Sequence, residues 1–335
     1  MTEVERFYVE SHYYFVVSGE LDKMVSVHEL WKATYSQAVA PHVNQGVVYY
    51  LLGQYDKAAD EQHEALRLSP ERGFNYGNLA GCYLRLDRLQ DAEQLLREAQ
   101  TRKLGGEFLS AVSYDAAFLR GDQDAMQRLV AASIGQGEAE HMLLAQQSEA
   151  EAYYGRLKKA REDSRRAQES ARRIGNEEAA VVYQIEAAIW ETELGNRKRG
   201  RKELATLSPS STSRIITPVV ALARARIGDD ARARSMAHAF AQRFPNDKLI
   251  NCYWLPIIEA VVALRRNDPA RTLERLQIAS PYELADGGVR ISSAGYAIYL
   301  RGAAYLMAGD AIKAAGEFQR LVDRPGAVGS FLEHF

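Results

Sequence analysis

Apolar and small residues recur along this chain at the three- and four-residue spacing of amphipathic helices, with short turns between the helical stretches. Gly19, Gly53, Gly121 and Gly155 mark turns on one 34-residue grid, and Asp87 occupies the grid point that lacks a glycine. No alternation of apolar and polar residues is long enough to predict a β-sheet. A helical chain with this period is expected to be an array of two-helix units, each packed on its neighbours.

The pattern predicts an all-α, right-handed α-α superhelix of about nine helical hairpins over residues 4–323. The spacing of the turns lengthens after residue 155, so the regularity of residues 172–213 stays open. The tail, 324–335, is expected either to fold back or to be a truncated end, because a solenoid needs its end faces covered. The nine units are expected near 5–38, 39–72, 73–106, 107–140, 141–174, 181–213, 214–247, 253–285 and 295–323.

The second unit shows the repeat most clearly. It carries small residues, aromatic residues and a terminal proline at Gly46, Tyr49, Gly53, Tyr55, Ala58, Ala65 and Pro70. Small residues let two helices cross closely, aromatic rings fill the space between units, and proline ends the second helix. The unit resembles the tetratricopeptide repeat, and the resemblance extends over nearly the whole chain.

Six short phrases carry a narrower resemblance. They are Ser-His-Tyr-Tyr-Phe (11–15), Gly-Glu-Leu-Asp-Lys (19–23), Glu-Leu-Trp-Lys-Ala-Thr-Tyr (29–35), Tyr-Gly-Asn-Leu-Ala (76–80), Arg-Phe-Pro-Asn-Asp (243–247) and Ser-Pro-Tyr-Glu-Leu (280–284). They resemble the repeat-rich C-terminal region of bacterial eukaryotic-type Ser/Thr protein kinases and related winged-helix regulators. That resemblance implies a recruiting or sensing role in a bacterial signalling or regulatory protein. The kinase motifs themselves do not occur in these 335 residues.

Composition narrows the class of partner. The formal charge is −2, so no global field favours nucleic acid or an anionic membrane, and neither partner is expected. The basic run 197–202 is interpreted as a solvated outer face or turn cap, with nucleic acid and an acidic partner as lesser alternatives. No apolar run is long enough to insert into a bilayer. A cytoplasmic location is favoured, and an extracytoplasmic one would follow if the parent were a membrane-anchored kinase.

The sequence offers no catalytic constellation. None of the seven histidines forms a His-x-x-x-His pair, and Cys82 and Cys252 do not form a Cys-x-x-Cys motif, so neither a metal site nor a cofactor is expected. Cys82 is expected to be a small buried residue in the first helix of the third unit. The sequence therefore predicts a protein that is not an enzyme.

In such an array, four positions of each first helix line the concave inner surface. At these positions the chain carries mainly aliphatic and aromatic residues, and a largely apolar groove suits a peptide or an amphipathic helix. Asp115 and Glu149 fall at equivalent positions of adjacent units and are expected to lie side by side. The predicted groove residues are Arg6, Tyr13, Val47, Tyr50, Phe74, Phe108, Asp115, Phe118 and Glu149.

The leading hypothesis is a non-catalytic module that binds a protein or peptide in this groove. Three alternatives remain open at this point. The superhelix could bury these residues against itself or the tail, or hold a small molecule in its bore near Tyr13, Tyr50, Asp115 and Glu149. The chain could also form a homo-oligomer by docking Phe331, Leu332 and Phe335 of the tail into a second copy.

Overall fold

The computed structural model describes residues 1–207, 213–214, 216–286 and 294–329. Within these ranges every regular element is a helix, and none of the helices is long and apolar enough to cross a membrane. The first ten α-helices are α1 (Glu3–His12), α2 (Leu21–Thr34), α3 (Val39–Leu51), α4 (Tyr55–Leu68), α5 (Gly73–Arg85), α6 (Leu89–Thr101), α7 (Glu107–Arg120), α8 (Gln123–Ser133), α9 (Glu138–Tyr153) and α10 (Leu157–Arg173).

The remaining α-helices are α11 (Glu177–Glu193), α12 (Arg197–Ala205), α13 (Ile216–Ile227), α14 (Asp230–Arg243), α15 (Leu255–Arg265), α16 (Pro269–Ala279), α17 (Tyr296–Met307), α18 (Ala311–Val322) and α19 (Pro325–Val328). Two π-helical segments, Tyr13–Ser18 and Ile250–Trp254, adjoin α1 and α15, and a 3-10 turn spans Ser280–Tyr282. Consecutive helices from α1 to α18 pack as hairpins, and each hairpin packs on the next. The predicted all-α superhelix of about nine hairpins is confirmed.

The turns inside the hairpins require a left-handed backbone. Gly53 and Gly121 adopt φ angles of 73° and 74° there, and Asp87 takes the same conformation with φ 58°. Glycine has no Cβ to clash in this region, and aspartate tolerates it better than most residues. The grid of turn residues in the sequence is therefore a grid of left-handed positions.

Small residues set the distance between paired helices. Ala58 and Ala65 are fully buried, and a Cβ at Gly46 would overlap the side chain of Gln62 on the partner helix. Gly302 makes the same close approach to Phe318 in the last hairpin. The helices can cross this closely because these positions carry almost no side chain.

The superhelix closes on itself, so repeats that are distant in sequence come into contact. The largest core cluster joins Leu21, Met24, Val48 and Leu52 from the start of the chain to buried residues of α11 through α17. In an open solenoid each repeat contacts only its neighbours. Here the C-terminal half instead covers one edge of the first three hairpins.

Polar contacts accompany this closure. Arg214 pairs with the fully buried Asp247 and donates to the carbonyl of Phe15 at 2.5 Å. The Tyr55 hydroxyl donates to the Leu284 carbonyl at 2.7 Å. We call this contact the seam, formed by Phe15, Gly19, Gly53, Tyr55, Arg85 and Asp87 on one side and by Arg214, Asp247, Leu284, Asp286, Gly326 and Ala327 on the other.

The end of the described chain belongs to the seam. The short helix α19 packs on α5, and the Gly326 amide donates to the Asp87 carboxylate at 2.6 Å. A Cβ at Gly326 would overlap the carbonyl oxygen of Leu84. Residues 324–329 thus lie back on the third hairpin, whereas the tail residues Phe331, Leu332 and Phe335 fall outside the described residues.

Turn glycines provide a test of the seam. Replacing Gly19 or Gly53 by Ala should destabilise the fold by at least about 1 kcal/mol more than replacing Gly121 or Gly155. All four substitutions place an alanine at a φ between 73° and 75°. A Cβ at Gly19 or Gly53 would also overlap Asp247 or the Leu284 backbone, whereas a Cβ at Gly121 or Gly155 would meet no atom within 4 Å.

Chemical denaturation of the four single variants measures this difference. Gly121→Ala and Gly155→Ala are matched controls for the left-handed strain, since they share the conformation without the neighbour. Equal destabilisation by all four variants would contradict a tightly packed seam.

The first hairpin buries a histidine. His28 is 0% exposed, and neither of its ring nitrogens has a hydrogen-bond partner within the described chain. Burial lowers the pKa of His28 to about 4, and the positive charges of Lys32 and His12 act in the same direction. The imidazole is therefore neutral in the folded protein at neutral pH.

This histidine should make the folded protein less stable as the pH is lowered. Because the unfolded state binds a proton with a pKa near 6.5 and the folded state near 4, stability is lost between pH 6.5 and 4. The loss attributable to His28 should reach about 3 kcal/mol at the acid end. His28→Leu should remove that part of the slope, and His63→Leu, at an exposed histidine, should not. Urea unfolding of both variants at pH 4 to 7 measures this effect. Parallel pH profiles for His28→Leu and the wild type would show that His28 does not cause the loss of stability.

Candidate binding groove

A cavity of about 390 Å³ lies on the inner face of the superhelix. Its walls come from α3, α5, α7 and α9 and from residues on the C-terminal side of the seam. We call this cavity the groove. The lining residues that the sequence predicted are Val47, Tyr50, Phe74, Phe108, Asp115 and Phe118.

Aromatic rings dominate the wall formed by α5 and α7. Phe74 and Phe108 are in contact, with ring centroids 5.3 Å apart, and Phe118 packs edge-on against Tyr153 at 5.2 Å. Phe74 keeps 48% of its surface exposed, although it is a large apolar side chain. Such an exposed ring inside a concave apolar wall is typical of a contact residue for a partner.

Glycines on α5 make room for this wall. A Cβ at Gly77 would lie 2.9 Å from the Phe108 ring, and a Cβ at Gly81 would lie 3.8 Å from Val112. Gly81 itself lines the groove. Gly77 thus lets α7 lie closer to α5 than a side chain would allow, whereas Gly81 makes only ordinary contact and leaves its backbone on the groove surface.

Side-chain amides donate hydrogen bonds to the polar side chains of the groove. Gln146 on α9 donates to the Asp115 carboxylate at 2.8 Å and to the Ala111 carbonyl at 2.9 Å. Asn78 donates to the Gln62 side chain at 3.2 Å. These hydrogen bonds fix the orientation of the polar side chains, so the groove is apolar with a few oriented polar groups.

Arg85 forms the end of the groove at the seam. Its guanidinium donates to the Tyr50 hydroxyl at 2.7 Å, to the Asp286 carboxylate at 3.1 Å and to the Ala327 carbonyl at 2.7 Å. The side chains of Arg85 and Asp286 are each 12% exposed. One buried cation therefore ties α3 and α5 to two separate pieces of the C-terminal half.

The titratable groups at this end of the groove are held in unreactive states. Burial raises the pKa of the Tyr50 hydroxyl and of the Cys82 thiol to about 12 in each case. Burial opposes the charge of Arg85, but the neighbouring Tyr50 and Asp286 raise its pKa above the ordinary value. A buried, protonated thiol is a poor nucleophile, so Cys82 acts here as a packing residue.

Three predicted groove residues lie elsewhere. Arg6 pairs with Glu3 at 3.5 Å on the surface of α1, and Tyr13 is 51% exposed beside Tyr14. Glu149 is buried at 8% exposure and does not line the groove. Asp115 accepts a hydrogen bond from Gln146, which lies one turn before Glu149 on α9, and the expected adjacency of Asp115 and Glu149 stays a prediction.

The π-helical segment Tyr13–Ser18 changes the helical phase of the first repeat after residue 13. A π-helix has a wider turn than an α-helix, so the side chains after its start rotate away from the face that an α-helical count predicts. Tyr14 and Phe15 pack against the large core, while Tyr13, Val16 and Val17 are exposed. A face that is counted with α-helical spacing therefore does not continue through residues 14–18.

Sequence reasoning missed the residues that complete the groove from the seam. These are Arg85, Asp286, Gly326 and Gly329. No sequence signal joins Arg85 to Asp286, because the two are far apart in the chain and lie in different repeats. Their contact depends on how far the superhelix has turned by residue 286.

The basic stretches have a structural role on the second helices of the hairpins. Arg161 binds the buried Glu191 through two hydrogen bonds of 2.6 and 2.9 Å, and Arg199 pairs with the same carboxylate at 3.1 Å. Arg156 and Lys159 pair with the buried Glu151. Several of these basic residues therefore neutralise carboxylates that would otherwise be buried unpaired.

The comparisons with known proteins support the repeat assignment. The family model described as tetratricopeptide repeat matches residues 39–72. The solved human IFIT1 dimer with PPP-AAAA is similar at 13% identity, with a TM-score of 0.50 over 90% of this chain and 68% of that one. Yeast Tom70 and the P58(IPK) TPR domain each match 96% of this chain, covering 84% and 93% of their own, at 12% and 11% identity and TM-scores of 0.34 and 0.30. No curated protein matches the sequence.

The fold and the groove define a helical-repeat scaffold of a kind that is generally non-catalytic and binds other molecules. Residues 39–72 are a tetratricopeptide repeat by this match, and the rest of the described chain shares the fold of helical-repeat proteins. The narrower resemblance to kinase and winged-helix regulator regions is not confirmed by these comparisons and stays a prediction.

Removing the Arg85 cation tests how strongly the seam end of the groove is held. Arg85→Met should lower the free energy of unfolding by about 3 kcal/mol, because it leaves a partly buried carboxylate without its cation. Arg88→Met is the matched control, since Arg88 pairs with Asp91 at 2.7 Å but both side chains are about half exposed. That control should change stability by less than about 0.5 kcal/mol. Equal effects in urea unfolding would show that the Arg85 contacts do not hold the fold.

Proposed function

We propose that this chain is a non-catalytic protein-interaction module that binds a peptide segment of a partner protein in the groove. The observation that carries the proposal is the half-exposed Phe74, which lies in a concave wall with Phe108 and Phe118. An exposed aromatic cluster inside a concave surface can bury apolar area only when a partner covers it.

The polar groups of the groove suit an extended or helical peptide. Asp115 and Asn78 lie among the aromatic residues, and polar groups of this kind orient a bound chain while the apolar wall supplies the binding energy. The net charge of −2 and the paired arginines on the outer surface support a protein partner over nucleic acid. The RNA in the solved structure is bound to IFIT1, and it does not assign an RNA ligand to this chain.

In this proposal the module serves as the recruiting or sensing part of a bacterial signalling or regulatory protein. The support is the set of six short phrases that resemble the repeat regions of bacterial kinases and winged-helix regulators. The groove would provide the contact, and any catalytic or DNA-binding activity would belong to another polypeptide region.

A small-molecule sensor is the second candidate, because a cavity of about 390 Å³ is also the size of a metabolite site. The two candidate functions differ in the ligand that binds in the groove, which is a peptide in one and a metabolite in the other. A metabolite that raises the melting temperature while no protein is captured would favour the sensor.

Phe74→Ala should weaken capture of a partner protein by about tenfold or more, as expected for an aromatic residue at the centre of an interface. Phe74 suits this test better than Tyr50, because Tyr50 accepts the Arg85 hydrogen bond and its loss would disturb the seam. A pull-down with quantitative mass spectrometry measures capture, and circular dichroism verifies the helical fold.

Ile312→Ala is the matched control, since Ile312 is 88% exposed on α18 and lies outside the groove. A partner lost with Phe74→Ala and kept with Ile312→Ala supports the proposal. Partners kept equally by both variants would exclude the groove as their binding site.

A further inference from the structure

The groove and the seam share residues. Asp286, Gly326 and Gly329 line the groove from the C-terminal side, and Tyr50 and Arg85 line it from the N-terminal side. Arg85 also bonds Asp286 and the Ala327 carbonyl across the seam. One wall of the groove therefore exists only while the superhelix is closed.

Further hydrogen bonds cross the seam. The Tyr55 hydroxyl donates to Leu284, and the Asp286 amide donates to the Leu51 carbonyl at 3.1 Å. The Gly326 amide donates to Asp87 at 2.6 Å. Neither Tyr55 nor Leu284 lines the groove, so their hydrogen bond closes the superhelix without touching a ligand.

We infer that closure of the seam and occupancy of the groove are thermodynamically coupled, so that a ligand in the groove holds the superhelix closed. This inference rests on the proposed function, because it concerns a ligand bound in the same groove. A ligand that fills the cavity contacts both walls, and in an open superhelix it would lose the contacts to Asp286, Gly326 and Gly329. A difference in contacts between two states shifts the equilibrium toward the state with more contacts.

Coupling of this kind is reciprocal. If the ligand stabilises the closed seam, then any change that opens the seam must weaken the ligand by the same factor. The proposal assigns to Arg85 a positioning role, because it joins both walls through Tyr50, Asp286 and Ala327. The expected ligand is the peptide segment of the proposed function, with an aromatic or aliphatic surface that reaches from Phe74 to the seam.

The seam provides its own reporters, since the amides of Asp286 and Gly326 are bonded across it. Hydrogen exchange at these two amides measures opening, and the dye 8-anilinonaphthalene-1-sulfonate serves as the apolar probe. The part of its fluorescence that Phe74→Ala removes reports binding in the groove. Saturating dye should slow exchange at both amides in the wild-type chain by about tenfold.

Gly53→Ala is the variant that opens the seam, because a Cβ there would lie 2.5 Å from the Leu284 carbonyl carbon, and Gly53 does not line the groove. It should speed exchange at both amides and weaken groove-dependent dye binding by about tenfold. Gly121→Ala has the same backbone strain without the clash and should change neither measurement.

Tyr55→Phe provides a gentler second variant if Gly53→Ala does not fold. It removes the hydrogen bond to Leu284, and Tyr76→Phe removes the 3.0 Å hydrogen bond to Glu98 within one hairpin as its control. Tyr55→Phe should speed exchange at Asp286 and Gly326, whereas Tyr76→Phe should not. In this variant too, dye binding in the groove should weaken together with the faster exchange.

Two results would overturn the inference. One is equal groove-dependent dye binding in the wild type and in the seam variants that exchange faster. The other is exchange at Asp286 and Gly326 that does not respond to saturating dye. Failure of the proposed function is a separate result, because it appears as partner capture that does not depend on Phe74.

Discussion

A buried guanidinium must be surrounded by acceptors, and in this molecule Arg85 finds them on both sides of the seam. Tyr50 comes from the second hairpin, Asp286 follows the eighth, and Ala327 lies in the short helix α19. The position of α19 and the closed end of the groove both depend on this cation. The closed superhelix is the arrangement in which Arg85, Asp286 and the Ala327 carbonyl are satisfied together.

Closure changes the energetics expected of a solenoid. The stability of an open array is close to a sum of terms from neighbouring repeats. The core cluster that joins Leu21 and Val48 to Trp254 and Ile257 adds contacts between repeats that are distant in the sequence. Such contacts form late and slowly in folding, and they make the ends of the array depend on each other. A substitution at Gly19 therefore acts on Asp247, far along the chain, as well as on its own turn.

The groove combines an apolar aromatic wall with a few oriented polar groups. Its aromatic wall is local, since Phe108 and Phe118 share one face of α7 and Phe74 reaches them from α5. Its polar groups are engaged by amide donors, and burial keeps the Cys82 thiol protonated. A surface of this kind gains free energy from apolar area and specificity from a few oriented hydrogen bonds.

The sequence by itself determined the repeat period and the turn positions, and six of the nine residues that it predicts for the groove line the cavity. These features depend on short-range rules: a 34-residue period, a residue that tolerates positive φ, and apolar positions on one helix face. The tertiary structure alone decided the seam, the place of Arg85, and the exclusion of Arg6, Tyr13 and Glu149 from the groove. The curvature of a superhelix accumulates in small rotations at every hairpin, so which distant residues meet depends on the sum of all of them. A π-helical turn at Tyr13 alters the phase of the first hairpin in a way that no repeat consensus contains.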